Sequence, residues 1–73
     1  MLSRENAGNG FEVIKEDGTI FVQKESFKIP LEEFEKFITP PGSIIVDYEG
    51  AFIMVPRDIV NCIIEISQVL KDE

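Results

Sequence analysis

Asp47 and Glu49 stand two residues apart in the run IVDYEG, the repeat of one strand face, so their carboxylates could offer oxygen ligands to a hard cation. Calcium takes about six to eight oxygens; a pair of carboxylates falls short of that, and solvated charge beside a hairpin turn accounts for both residues. With no histidine in the chain, general acid–base work near neutral pH would fall to a tuned carboxylate or lysine, and no motif marks one. Asp58 opens a run of helical periodicity and reads as an N-cap or first-turn acid rather than a general base. Cys62, the single cysteine, lies in VNCII. A reactive thiolate needs an electropositive neighbourhood, and Arg57 alone could supply it, so a buried or interface thiol is expected. No catalytic residue, metal site or cofactor is expected.

Lys24 and Lys28 interleave with Phe21 and Phe27 in FVQKESFK, an arrangement that single-strand nucleic-acid binders use. The charge balance opposes that use: 14 acidic against 7 basic residues give a net charge of −7, whereas phosphate affinity comes from lysine and arginine releasing counterions. Residues 1–40 hold five basic and eight acidic groups, and residues 41–73 hold two and six. An anion would therefore be met by Lys15, Lys24, Lys28 or Lys36.

Few elements are available to position these groups. A chain of 73 residues makes one domain, and chains of that size bury only about 60% of their unfolded surface. Such cores usually need disulfides, a metal or oligomerisation. One cysteine and no histidine remove the first two, which leaves self-association. The lone thiol, and an N-terminus MLSRENAGNG without an apolar signal core, point to the cytoplasm; no run reaches membrane-spanning length, so no membrane partner is expected.

Residues 1–10, rich in Gly, Asn and Ser, read as a flexible leader to a single α+β domain over 11–73. FEVIKEDGTIFVQ predicts a hairpin about Asp17-Gly18, since Asp-Gly suits a type I′ turn. SFKIP alternates as a half-buried strand that Pro30 ends. LEEFEKFI predicts a helix of about two turns with Leu31, Phe34, Phe37 and Ile38 on one stripe, and TPPG breaks it. SIIVDYEGAFIMVP predicts a second hairpin about Glu49-Gly50, apolar on both faces. From Arg57 or Asp58 to about Lys71 the spacing predicts an amphipathic helix with a stripe of Ile59, Ile63, Ile66 and Leu70, flanked by Val60, Ile64 and Val69. VIKEDGTIFV also echoes IVDYEGAFIMV, an echo that two hairpins of one design explain.

Ile29-Pro30, Gly42 twelve residues on, the glycine-turned run SIIVDYEGAFIMVP and Lys24 ahead of the Glu25-Ser26 turn together resemble the AbrB/MazE swapped-hairpin family over residues 19–56. The resemblance implies a dimeric β-barrel of interleaved hairpins in a transcription regulator or antitoxin that binds DNA, with Lys24 and Lys28 as the contacts. The strand FEVIKEDG and the apolar C-terminal helix are additions to that pattern.

The apolar surplus between Ile44 and Leu70 exceeds what one sheet face can cover. The expectation is an α+β homodimer, intertwined or sheet-packed, made of two short β-hairpins plus a strand, a short central helix and a C-terminal amphipathic helix. Its interface would be formed by Ile45, Phe52, Met54, Ile59, Ile63, Ile66 and Leu70. Function would be regulatory or adaptor-like through protein contacts, with the DNA-binding regulator or antitoxin as the alternative.

Overall fold

A computed structural model describes residues 2–38 and 44–73. Four strands, β1 (Leu2–Gly8), β2 (Phe11–Glu16), β3 (Thr19–Lys24) and β4 (Phe27–Pro30), form an antiparallel meander in the order β1-β2-β3-β4. The helix α1 (Leu31–Glu35) follows, then β5 (Ile44–Tyr48) and β6 (Ala51–Val55) pair as a two-stranded sheet, and α2 (Arg57–Lys71) closes the chain. The fold is α+β, as the residue patterns predict. The predicted TPPG break lies in 39–43, outside the described residues.

Turn chemistry sets the registers. Asp17 and Gly18 take φ of 51° and 83°, and Glu49 and Gly50 take 52° and 80°, so both hairpins use the type I′ geometry whose twist matches the strands. The echo between the two segments is an echo of turns. Asn9 and Gly10, at 52° and 83°, make a third turn of the same kind.

That third turn corrects the reading of residues 1–10 as a flexible leader. Leu2–Gly8 is an edge strand paired with β2 from Leu2 opposite Glu16 to Gly8 opposite Phe11, with a register shift between Asn6 and Gly8. Ala7, at that irregularity, is its only buried residue, which explains why little hydrophobic pattern marks the strand.

The alternation of β2 and β3 sends Phe11, Val13, Ile20 and Val22 inward, with Phe27 and Ile29 of β4 beside them. Helix α2 lies across the inner face of β1, β2 and β3, and α1 covers β3 and β4. Leu31 and Phe34 of α1 are buried; Phe37 and Ile38, in i→i+3 turns past its end, are half-buried. From α2, Ile59, Val60, Ile63 and Leu70 enter the same core, which Ile44, Val46 and Val55 of the second sheet complete.

Three polar details fix α2. Pro56 precedes it and Asp58 lies in its first turn without a side-chain cap hydrogen bond, so Asp58 acts on the positive helix end through charge. The Lys15 ammonium reaches up from β2 and donates to the Leu70 carbonyl at 2.9 Å, which also accepts from the Glu73 N–H, and to the Glu73 main-chain oxygen at 3.3 Å, setting a positive charge at the negative helix end. Ser67, buried among apolar neighbours, donates its hydroxyl to the Ile63 carbonyl at 2.6 Å.

Ile63 is fully buried within one chain, so Ile63→Ala should cost about 2–5 kcal/mol from cavity formation, read as a lower urea midpoint that does not depend on protein concentration. Lys15→Met should cost about 1 kcal/mol by uncapping α2. A Lys15→Met midpoint equal to wild type would show that the two contacts contribute nothing net.

Candidate interaction surface

The second hairpin turns one side chain set inward and the other outward. Its register pairs Ile44 with Val55, Ile45 with Met54, Val46 with Ile53, Asp47 with Phe52 and Tyr48 with Ala51. Ile44, Val46 and Val55 are buried and Ile53 and Tyr48 are half-buried, so the Ile44 side of the sheet is the core face. The opposite face carries Ile45, Phe52 and Met54, exposed at 65%, 75% and 63%, with Asp47 as its one charge. Large apolar side chains gathered on one solvent-facing surface of a small domain are a candidate contact site.

The seven residues predicted for an interface thus divide. Ile45, Phe52 and Met54 form this outer face. Ile59, Ile63 and Leu70, at 7%, 0% and 1% exposure, lie in the core of their own chain, and Ile66 packs half-buried against it. Helical periodicity identifies an apolar arc, and here the inner face of the four-stranded sheet takes up most of it. Val69, Ile64 and Leu2 are exposed elsewhere, on α2 and β1.

Lys24 and Lys28 flank the β3–β4 turn but sit on opposite faces of the sheet. Lys24 is opposite Phe27 on the core side and Lys28 opposite Gln23 on the outer side. Each ammonium lies over an aromatic ring, Lys24 at 4.7 Å from the Phe11 centroid and Lys28 at 4.5 Å from that of Phe21. Basic groups and rings therefore meet within the protein.

Asp47 belongs to the outer strand face while Glu49 lies in the turn, and among the described residues no three metal-ligating side chains come together. Cys62 is exposed, so of the two settings expected for it, buried or interface, the first does not hold within one chain. A cleft of about 510 Å³ between the β2–β3 turn and α1 holds Glu32, Glu35 and Lys71, with Lys71 and Glu35 paired at 3.8 Å. Among the described residues no helix is long and apolar enough to cross a membrane.

The chain matches no protein-family model, and neither a curated protein nor a solved structure matches it significantly.

Tyr48 reports on the rim of the exposed sheet. Partial desolvation lifts its phenol above the ordinary value of 10.0, with the charge and hydrogen-bonding carboxylate of Glu49 adding to it and the charge of Glu33 following. The folded state therefore holds this proton more tightly than the unfolded chain does. Its stabilising contribution is complete below the unfolded value and is lost as pH rises through the higher folded one. Tyr48 is the only tyrosine and there is no tryptophan, so tyrosinate absorbance follows this group alone. The native midpoint should lie above that of the chain in denaturant, and coincident midpoints would remove the assigned environment.

Proposed function

We propose that this is a cytoplasmic, non-catalytic binding module that works as a homodimer in a regulatory or adaptor role, through protein contacts made by the outer face of β5 and β6. One observation carries the reading: Ile45, Phe52 and Met54 share that face and are each more than three-fifths exposed. Among the described residues the other exposed large apolar side chains, Leu2, Ile64 and Val69, lie on β1 and α2, so this hairpin face gathers half of the six. A face holding one carboxylate among three apolar groups suits an apolar protein partner better than a phosphate backbone.

The swapped-hairpin, DNA-binding reading keeps one support, the position of Lys24 and Lys28 beside the β3–β4 turn. Their placement on opposite faces offers no shared basic surface to a duplex. A regulator of that kind should bind DNA at low salt, lose affinity steeply as salt rises, and fail to bind once both lysines are replaced by glutamate.

Sedimentation should give a mass above that of one 8.3 kDa chain at tens of micromolar, roughly the range in which weak apolar interfaces form. Phe52→Asp should return the protein to a single chain with unchanged helical signal, because the replaced side chain is 75% exposed and outside the core. Wild-type protein that sediments as one chain throughout, with no other protein bound through this face, would overturn the proposal.

A further inference from the structure

The exposed hairpin has a backbone as well as a face. A sheet edge presents a row of unpaired N–H and C=O groups, and proteins blunt such edges with charge, proline, bulges or short strands. Three of the four edges here are blunted. The β1 edge carries Arg4 and Glu5 and an irregularity between Asn6 and Gly8. The β4 edge is four residues long, with Lys28 and a terminal Pro30, and β5 carries Asp47. The edge of β6 has none of these devices: Ala51-Phe52-Ile53-Met54-Val55 contains no charge, no proline and no register shift, and among the described residues β5 is its only strand partner.

We infer that β6 is a self-pairing edge, at which a second copy of this chain adds antiparallel to give a continuous four-stranded sheet β5-β6-β6-β5 about a twofold axis at Ile53. This rests on the proposed contact role of the same hairpin and specifies its occupant. Hydrogen-bond parity selects the axis. A two-residue type I′ turn closes on a bonded pair, here Tyr48 and Ala51, and the antiparallel alternation then points the backbone groups of Ile53 and Val55 toward β5 and those of Phe52 and Met54 toward the open edge. An axis at Ile53 sets Phe52 opposite Met54 of the second copy, and Met54 opposite its Phe52, so all four outward-pointing residues exchange bonds. Moving the axis to Phe52 or Met54 leaves outward groups unmatched.

Side chains and charge agree with that register. Phe52 and Met54 are neighbours across the axis on the outer face, a sulfur–aromatic pairing, with Ile45 continuing the apolar surface on each side. The acidic chain meets its copy where it has no charge. Asp47 lies on β5, so the two copies of it are three strand spacings apart, about 14 Å, beyond a Debye length of about 8 Å at physiological salt. One strand pair and a few apolar side chains per copy form a small interface, so the dimer is of the weak class that dissociates on dilution.

The test is backbone amide exchange on the intact protein at two concentrations, with sedimentation at both. Where about nine-tenths of the chains are dimeric, the Phe52 and Met54 amides should exchange about tenfold more slowly than in dilute solution, while the Ile53 and Val55 amides, already bonded to β5, change little. Met54→Pro removes an outward N–H that the single chain does not use, a position where an edge strand tolerates proline, and should give a folded single chain at every concentration. A dimer whose Phe52 and Met54 amides stay unprotected, or a folded Met54→Pro protein that associates as wild type does, would overturn edge pairing and leave the apolar-face reading in place. A single chain at all concentrations would overturn edge pairing and the homodimer together. Should Met54→Pro not fold, the wild-type exchange pattern decides.

Discussion

One helix closes the four-stranded meander. The seating of Ile59, Ile63 and Leu70 against the inner side of the meander supplies much of a core that Leu31 and Phe34 of α1 and Ile44, Val46 and Val55 of the second sheet share. Once α2 is committed there, the described residues offer only the short α1 with which to build another layer. The second sheet can bury one face against the common core, and its other face stays in solvent. The exposed apolar residues of β5 and β6 follow from this shortage of covering material.

The same constraint gives small polar contacts large positional roles. Lys15 comes from the middle strand region and reaches the far end of the helix, so it ties β2 to the last turn of α2. Asp58 acts at the opposite helix end, and Lys71 links the last turn to Glu35 of α1 at 3.8 Å. The surface pair with Glu35 contributes little free energy in water, whereas Lys15 sets a positive charge on main-chain oxygens at the negative end of the helix.

Much of this architecture is legible in the residues. Asp17-Gly18 and Glu49-Gly50 mark both predicted hairpins, Pro30 separates β4 from α1, and the 57–71 periodicity gives α2 its bounds. The first strand is not legible from hydrophobic alternation, because it lies at the sheet edge, buries only Ala7 and keeps mostly exposed residues. Asn9-Gly10 was the available signal, a hairpin dipeptide set among other glycines and asparagines that resemble a loose terminus. The candidate surface was half legible. Alternation separates Ile45, Phe52 and Met54 from the core set, but the apolar arc of a helix looks the same whether its own chain or another covers it, so Ile59, Ile63 and Leu70 could not be assigned without the fold.

The order of strands also bears on how quickly the molecule can form. Every strand pairs with its neighbour in sequence, in both sheets, so each pairing closes a loop of only a few residues. The distant contacts are those of α2 with the beginning of the chain, such as Ser3 with Glu73 and Lys15 with Leu70. Hairpins of this kind form within about 1–10 μs, well ahead of the search that brings the ends together. The kinetic barrier should therefore belong to helix docking. Substitutions at the meander turns would then slow folding, and substitutions on the outer part of α2 would chiefly speed unfolding, a division that rate measurements on the two groups of variants can check.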